Sequence, residues 1–239
     1  PPASLRFIAV GGAHVSPALL AQAERAGLPV YEGYGLSECG SAVALNTQAH
    51  KRPGSVGRPL PHVEVRIDDR QQIIVRNSAM LGYLGDAPLA ATGEIETGDL
   101  GSFDADGFLY VHGRRKNLLI TSLGRNIAPE WVERELQQEP EIAAVIVAGE
   151  ARPFLTALIS PLASGTSLSR IDAAVARANS RLPDYARVRR WALAAEPFTF
   201  ANGSLTANGR LRRGHILREH EQTLEGLYRE TSTQKEICA

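Results

Sequence analysis

The sequence contains only two cysteines, one methionine and no long apolar run, and its 26 basic side chains are balanced by 26 acidic ones. Cys39 and Cys238 lie too far apart to predict a disulfide framework or a zinc cluster, which favours a reducing cytoplasm. No stretch approaches the roughly 18 apolar residues of a membrane span, and the first residues lack the basic and apolar regions of a signal peptide. With no net charge to attract nucleic acid or anionic lipid, any anionic ligand must be bound by local groups.

Common nucleotide-binding and hydrolase motifs are also missing. The sequence has no Gly-x-x-x-x-Gly-Lys-Ser/Thr loop and no Gly-x-Gly-x-x-Gly fingerprint. Ser37 is not in a nucleophile elbow, because Cys39 stands where that turn needs glycine. His215 and His220 are five residues apart, a spacing that suits neither one helical face nor metal ligation. These absences argue against the P-loop, dinucleotide-binding and serine-hydrolase classes.

A strand–helix–strand unit is predicted at the start of the chain. The apolar residues 5–10 form a strand, and a helix over 17–26 follows Ser16, which is placed as an N-cap before a proline. Residues 28–31 form a second strand. Since the crossover between parallel strands is right-handed, the loops after both strands meet at one edge of the sheet, where α/β proteins bind ligands. The candidate backbone contacts at this edge are Gly12, Ala13, Gly33 and Gly35.

The rest of the chain predicts two further regions. Short alternating runs separated by turns, such as Asp106-Gly107, predict a small antiparallel sheet, and strands alternate with helices again after residue 116. We therefore predict a mixed fold of the α/β and α+β classes, with a parallel portion over 1–52, a β-rich portion over 53–115 and a compact α+β domain over 116–239. The predicted strands are 63–67, 73–75, 108–111, 142–148 and 155–160, and a helix is expected with an apolar face at Leu168, Ile171, Val175, Ala178 and Leu182.

The segment Gly33-Tyr34-Gly35-Leu36-Ser37-Glu38 combines the groups that a nucleotide needs. Flanking glycines let the backbone approach a ligand closely. The ring of Tyr34 can stack on a base, the hydroxyl of Ser37 can meet a phosphate oxygen, and the carboxylate of Glu38 can hold Mg²⁺. For this hexamer alone, a plain strand-to-helix turn is an equally good interpretation.

Two downstream segments carry further polar groups. Asp99, in Thr97-Gly98-Asp99, is expected at a strand end, where its carboxylate could accept hydrogen bonds from a ribose diol; a common turn is the alternative interpretation. Arg114 follows shortly after. Residues 118–133 then read as a strand, a tight loop containing Gly124, and a helix beginning at Pro129.

Together these segments resemble the adenylate-forming enzymes, the superfamily of acyl- and aryl-CoA synthetases, firefly luciferase and nonribosomal adenylation domains. The resemblance implies that a small C-terminal domain rotates about a hinge between an adenylate-forming and a thiol-accepting orientation. It also implies the following roles: Tyr34 stacks on adenine, Glu38 binds the metal, Ser37 replaces the loop's usual threonine, Asp99 and Arg114 hold the ribose, Lys116 is the hinge, and Gly124 leaves room for the pantetheine arm.

The sequence departs from the family pattern in three places. In the closing motif over 202–213, Arg210 replaces the lysine that bridges the substrate carboxylate and the α-phosphate, and arginine's planar fork is wider than an ammonium group. Asn117 stands where many relatives have aspartate. A serine-, threonine- and glycine-rich phosphate loop is missing, so the chain resembles only the C-terminal half of a family member. Arg212 and Arg213 are interpreted as a solvated basic face.

The resemblance implies an AMP-forming acid–thiol ligase. It would activate a small carboxylic acid with ATP and Mg²⁺, release AMP and pyrophosphate, and transfer the acyl group to CoA, with the missing N-terminal half of the same enzyme supplying the rest of the site. Two alternatives stay open: an adenylation enzyme that loads the phosphopantetheine of a carrier protein, and a nucleotide-binding or interaction protein impaired in catalysis by Arg210.

Overall fold

The protein is described by a computed structural model over residues 4–12, 15, 17–77, 80–85, 87–88 and 93–229. The chain forms two compact units, Pro1–Lys116 and Asn117–Ala239. Within the described ranges, no helix is both long and apolar enough to cross a membrane.

The first unit opens with the predicted strand–helix–strand arrangement. Strand β1 (Ile8–Val10) pairs in parallel with β2 (Val30–Tyr34), and helix α1 (Pro17–Arg25) connects them. The sheet continues in the order β1-β2-β3-β4 through β3 (Ala44–Leu45) and β4 (Arg58–Pro59). The parallel pair is confirmed, but the predicted bounds of both strands were wrong.

Those bounds differ because strand ends are set by pairing partners. β1 begins only at Ile8, where its residues meet β2 in the register Ile8↔Val30. β2 continues to Tyr34 because its far edge pairs with β3, with Tyr34 opposite Ala44. Neither partner is visible in a local apolar pattern. The predicted contact at Ala13 and the predicted N-cap at Ser16 lie outside the described residues.

The second sheet of this unit is antiparallel, in the order β5-β6-β7-β8. Its four strands are β5 (Glu64–Ile67), β6 (Gln72–Arg76), β7 (Ile95–Phe103) and β8 (Leu109–Arg114). The expected hairpin turn before β8 is present, because the N–H of Gly107 donates to the carbonyl of Asp104 at 3.1 Å. The buried side chains of this antiparallel sheet share one core with the loop after β2. This core is formed by Cys39, Val43, Ala44, Val63, Ile73, Val75, Ile95 and Leu109.

Thr97-Gly98-Asp99 lies inside β7, so the expectation of a strand end was wrong. Gln72 of β6 pairs with Leu100, whereas Ile74 pairs with Glu96. Two residues of β6 therefore span four of β7, which makes the segment a bulge. Gly98 has a φ of 72°, a value that favours glycine and explains why the tripeptide looks like a turn.

The second unit starts with two short paired strands, β9 (Leu119–Ile120) and β10 (Asn126–Ile127), before helix α2 (Pro129–Leu136). A three-stranded sheet follows, with β11 (Ile142–Ala148) antiparallel to β12 (Leu155–Pro161) and β12 parallel to β13 (Val188–Leu193). The remaining helices are α3 (Leu168–Ser180), α4 (Arg213–Glu219) and α5 (Glu221–Arg229). The predicted bounds of β11 and the helix start at Pro129 are confirmed.

This sheet is buried on both faces. Along β11, Val145 and Val147 belong to the cluster that includes α2 and α3, whereas Ile146 belongs to the cluster that includes α4 and α5. The alternation follows from the two-residue period of a strand. It explains why β11 reads as a continuous apolar run in the sequence.

Candidate functional site

Asp99 is the centre of the candidate site in the first unit. The hydroxyl of Tyr34 donates to its Oδ2 at 2.6 Å, and Nε of Arg114 lies 2.7 Å from its Oδ1. Asp99 is 5% exposed. Residues from three separate predicted segments therefore meet at one carboxylate.

The bulge in β7 and the neighbouring strand hold Asp99 in place. Asp99 lies opposite Arg114 in the β7–β8 register. Within the bulge, the hydroxyl of Thr97 donates to the carbonyl of Ile73 at 2.7 Å and accepts from the N–H of Asp99 at 3.1 Å. Thr97 thus fixes the backbone at Asp99, a function that its place in a short polar tripeptide did not reveal.

The same contacts fix the protonation state of Tyr34. Burial, the charge of Asp99 and the hydrogen bond to Asp99 raise the pKa of Tyr34 far above its ordinary value, and a hydrogen bond with Thr97 and the charge of Arg114 offset this only in part. Tyr34 therefore stays a neutral hydrogen-bond donor near neutral pH.

The loop after β2 has a tightly determined backbone. A Cβ atom on Gly35 would lie 1.8 Å from the carbonyl oxygen of Ser41, so no other residue fits without a backbone shift. A short 3₁₀ helix, Ser37–Cys39, follows, and its last residue, Cys39, is fully buried. Burial raises the pKa of the Cys39 thiol to about 11, with a further contribution from Glu38, so this cysteine anchors the loop as a neutral thiol.

The glycine loop after β1 lies beside β2, but Gly33 and Tyr34 belong to β2 itself, so their predicted place in the loop after that strand was wrong. A Cβ atom on Gly11 would lie 3.4 Å from the carbonyl oxygen of Gly33. Gly12 is exposed and has a φ of 79°. The described backbone of Gly12, Gly33 and Gly35 thus lies at the carboxyl ends of the parallel strands.

Glu38 is bound by a segment that the sequence did not point to. The hydroxyl of Tyr83 donates to Oε1 of Glu38 at 2.9 Å, and the N–H of Met80 donates to its main-chain carbonyl at 2.7 Å. Its own backbone amide, the Tyr83 hydroxyl and the charge of Arg114 lower the pKa of Glu38 despite some desolvation. Glu38 is therefore an ionised, partly exposed carboxylate within the electrostatic reach of Arg114.

The donor set around Glu38 suits a cation that takes most of its ligands from elsewhere. Among the described residues, no group of three or more histidine, cysteine, aspartate or glutamate side chains could hold a metal ion. Mg²⁺ in nucleotide sites commonly uses one or two carboxylates together with water and phosphate oxygens. A single ionised glutamate fits that arrangement.

The second unit holds the other two predicted site residues. Gly124 has a φ of 71° in a turn where its N–H donates to the carbonyl of Thr121 at 2.9 Å. No atom lies within 4 Å of the position of an added Cβ, so the turn is open on that side. Arg210 is exposed, in a loop closed by two hydrogen bonds to Thr206: its carbonyl accepts from the Thr206 N–H at 2.8 Å, and its N–H donates to the Thr206 hydroxyl at 3.0 Å.

Arg213 is not part of a solvated face, so that prediction was wrong. Its guanidinium contacts the buried carboxylate of Glu133 through Nη2, and its Nη1 donates to the carbonyl of Val147 at 2.9 Å. The N–H of Val147 donates back to Oε1 of Glu133 at 2.7 Å. Arg212, by contrast, is exposed as expected.

Lys116 is the last residue of the first unit and lies in the 3₁₀ helix Arg115–Asn117. Its side chain is exposed. Asn117, which replaces the usual aspartate, donates to Oε1 of Glu130. The hinge role of Lys116 stays a prediction.

Two family models match this chain: the AMP-binding enzyme over residues 1–84 and the AMP-binding enzyme C-terminal domain over residues 116–232. The chain belongs to the AMP-binding enzyme family. The resemblance to adenylate-forming enzymes is thereby confirmed.

Relatives of this AMP-binding chain include a long-chain-fatty-acid–CoA ligase of Mycobacterium bovis, 32% identical over 231 residues that cover 85% of this chain and 38% of the ligase. Solved structures include o-succinylbenzoate CoA synthetase from Bacillus subtilis with ATP and magnesium ion (28% identity, TM-score 0.73, 90% of this chain and 47% of that one). The same synthetase with its acyl-adenylate intermediate gives 27% identity and a TM-score of 0.75, over 90% of this chain and 46% of that one. The chain thus spans less than half the length of these relatives.

In this AMP-binding family chain, the structure brings Tyr34, Asp99 and Arg114 into direct contact and places Glu38 within reach of Arg114. Ser37 is exposed at the start of its 3₁₀ helix, and no described contact joins it to that group. Gly124 and Arg210 lie in the second unit.

Proposed function

We propose that the protein containing this chain is an AMP-forming acid–thiol ligase of the acyl-CoA synthetase type. A carboxylate oxygen would attack the α-phosphorus of ATP while the bond to pyrophosphate breaks, giving an acyl-adenylate. The sulfur of CoA would then attack the acyl carbon, and AMP would leave. The observation that carries the proposal is the convergence of Tyr34 and Arg114 on the buried carboxylate of Asp99, in a chain of this family.

The geometry around Asp99 suits the nucleoside part of AMP. A carboxylate fixed by a tyrosine on one oxygen and an arginine on the other has a defined orientation, which favours paired hydrogen bonds from a ribose diol. The Tyr34 hydroxyl donates to this carboxylate, so the tyrosine ring lies next to the proposed ribose contact. A base stacked on that ring would therefore be next to its own sugar. The roles proposed are ribose binding for Asp99 and Arg114 and base stacking for Tyr34.

Glu38 would hold Mg²⁺, which supplies charge neutralisation of the phosphate oxygens during adenylation. The glycine loops would contribute backbone N–H groups near the phosphates through Gly12, Gly33 and Gly35. The hydroxyl of Ser37 is exposed and is proposed to meet a phosphate or carboxylate oxygen.

Arg210 would supply the cation of the closing loop. A guanidinium keeps its charge and binds phosphate well, but it is too wide to occupy the position of an ammonium between two oxyanions. This observation favours a second candidate function, a nucleotide-binding protein with impaired adenylation. Robust ATP–pyrophosphate exchange by the longer protein would exclude that candidate.

The acceptor and the remaining parts of the site are also proposals. The relatives named above are CoA ligases by name, which supports CoA over a carrier protein's phosphopantetheine. In that arrangement Gly124 leaves room for the thiol arm and Lys116 is the hinge. The reaction needs a phosphate-gripping loop, which we propose another segment of the enzyme supplies, in the cytoplasm.

Replacing Asp99 tests the nucleotide site. In the longer protein that contains this chain, Asp99→Asn should weaken AMP binding about 10- to 100-fold. This is the loss of affinity expected when one or two hydrogen bonds to a charged group are removed. Calorimetric titration measures this, and Asp69→Asn, an exposed turn carboxylate, is the control. The wild type should discriminate against 2′,3′-dideoxy-AMP, and the variant should not. Equal binding of both nucleotides by the wild type would remove Asp99 from the ribose site.

A further inference from the structure

The segment that contacts Glu38 lies after β6 and is far from Glu38 in sequence. Met80 reaches the main-chain carbonyl of Glu38 through its N–H at 2.7 Å. Tyr83 reaches the side-chain carboxylate of the same residue through its hydroxyl at 2.9 Å, across 45 positions of sequence. One short segment therefore fixes both the backbone and the side chain of the candidate metal ligand.

Tyr83 contributes little to an apolar core, because most of its side chain is exposed. Tyr83 is 59% exposed, and its neighbours Leu81 and Leu84 are 89% and 107% exposed. A tyrosine that served the core would bury its ring. Its hydroxyl instead donates to the carboxylate of Glu38.

We infer that Tyr83 is a positioning residue for the metal ligand: its hydroxyl holds one oxygen of the Glu38 carboxylate so that the group is presented in a single orientation to a divalent cation on a bound nucleotide. This inference rests on the proposed function, since it assigns Glu38 to Mg²⁺. Mg²⁺ demands near-ideal octahedral geometry and commonly takes one oxygen from a carboxylate. Hydrogen bonds to ligating carboxylates orient them and tune their affinity.

The hydroxyl could act in the opposite sense, by competing with the cation for the carboxylate, and the two arrangements predict opposite effects. If Tyr83 orients Glu38, its removal weakens cation binding. If Tyr83 competes, its removal strengthens cation binding. The sign of the change in affinity therefore decides the inference.

The experiment compares Tyr83→Phe with the wild type in the longer protein that contains this chain, using Mn²⁺ as the probe. Electron paramagnetic resonance counts the free ion with ATP held below the protein concentration, so that unbound ATP does not chelate the ion. Loss of an outer hydrogen bond commonly costs 10- to 100-fold in metal affinity. Because Glu38 is partly exposed and water can replace the hydroxyl, we expect a loss of about 5- to 10-fold. Metal-free AMP binding should stay within about twofold, since the hydroxyl that is removed donates to Glu38 and the groups proposed to hold the ribose are Asp99 and Arg114.

Two variants calibrate the result. Tyr185→Phe alters another exposed tyrosine, in the second unit, and should change neither affinity. Glu38→Gln should weaken cation binding more than Tyr83→Phe does, because it removes the ligand itself, while AMP still binds.

Each outcome has a separate meaning. Unchanged or tighter Mn²⁺ binding by Tyr83→Phe, with Glu38→Gln impaired, overturns the role of Tyr83 and leaves the proposed function intact. Unchanged Mn²⁺ binding by Glu38→Gln overturns the metal assignment and this inference with it. Failure of the longer protein that contains this chain to bind ATP or AMP overturns the proposed function itself.

Discussion

Arg213→Ala should destabilise the second unit, because it leaves the buried carboxylate of Glu133 without its cation. The side chains of Arg213 and Glu133 are 17% and 9% exposed, so water screens the pair poorly. The change also removes the hydrogen bond from Arg213 to the carbonyl of Val147. Arg213 is thus a structural residue, although its sequence context is a basic run.

The magnitude follows from what remains around the carboxylate. Removing one partner of a buried ion pair typically costs about 3–5 kcal/mol. Glu133 keeps the hydrogen bond from the N–H of Val147, and its side chain keeps a small exposed fraction, 9%. We therefore expect a loss at the low end of that range, about 3 kcal/mol in the free energy of unfolding. For an m-value near 2 kcal/mol/M, this loss lowers the urea midpoint by about 1–2 M.

The loss should also depend on pH. Burial raises the pKa of Glu133, while Arg213 and the N–H of Val147 oppose that rise. Removing Arg213 raises the folded-state pKa further. A carboxyl whose folded pKa lies above its unfolded value stabilises the fold below the unfolded pKa, and that stability is lost as pH rises through the folded pKa. The destabilisation should therefore be larger at pH 8 than at pH 5.

Tryptophan fluorescence reports on this unit alone. The chain has two tryptophans, and both, Trp131 and Trp191, pack against the core of the second unit. Arg212→Ala is the matched control, because Arg212 is exposed and adjacent; it should change stability by less than about 0.5 kcal/mol at either pH. A loss for Arg213→Ala no larger than that of the control, or one that grows toward acid pH, would refute the reasoning.

Two further predictions concern a turn of the first unit and the closing loop of the second. Gly54 and Gly57 have φ values of 79° and 89°, but a Cβ on Gly57 would lie 1.9 Å from the carbonyl carbon of Leu45, whereas one on Gly54 meets nothing within 4 Å. Gly54→Ala should lower the free energy of unfolding by about 1–2 kcal/mol through backbone strain. Gly57→Ala should lower it by at least about 1–3 kcal/mol more, because the added Cβ also clashes with Leu45. Calorimetry measures both losses, and equal losses would contradict the clash. Arg210→Lys should keep or raise ATP–pyrophosphate exchange in the longer protein without changing AMP affinity, because it restores a compact ammonium; a fall in exchange would show that the guanidinium is required.

The local elements of the fold could be predicted where one residue pattern decides them. Pro129 begins α2, and β11 has the predicted bounds because its residues are apolar on both faces. The bounds of β1 and β2 depend on partners elsewhere in the chain, so a local pattern could not give them. The bulge in β7 was taken for a turn at a strand end because Gly98 has turn-like dihedral angles in both settings.

The residues of the candidate site also fall into those that the sequence could predict and those that it could not. Tyr34, Asp99 and Arg114 could be named because each lies in a short motif with its own chemistry, and the structure joins them. Tyr83 and Glu133 could not be named, since their function depends on contacts across 45 and 80 positions of sequence. A hydroxyl or carboxylate that acts on one distant atom leaves no periodic or compositional signal.

The distribution of the polar groups argues for a division of labour between the two units. The described contacts that orient Asp99, from Tyr34 and Arg114, come from the first unit, and Glu38 receives its hydrogen bond from Tyr83 there as well. The part of the proposed nucleotide site described so far is therefore built from groups of the first unit. Arg210 belongs to the second unit and lies on a loop closed by its own hydrogen bonds to Thr206. Because Arg210 and the proposed ribose contacts belong to different units, we expect exchange activity and AMP affinity to respond to different sets of substitutions.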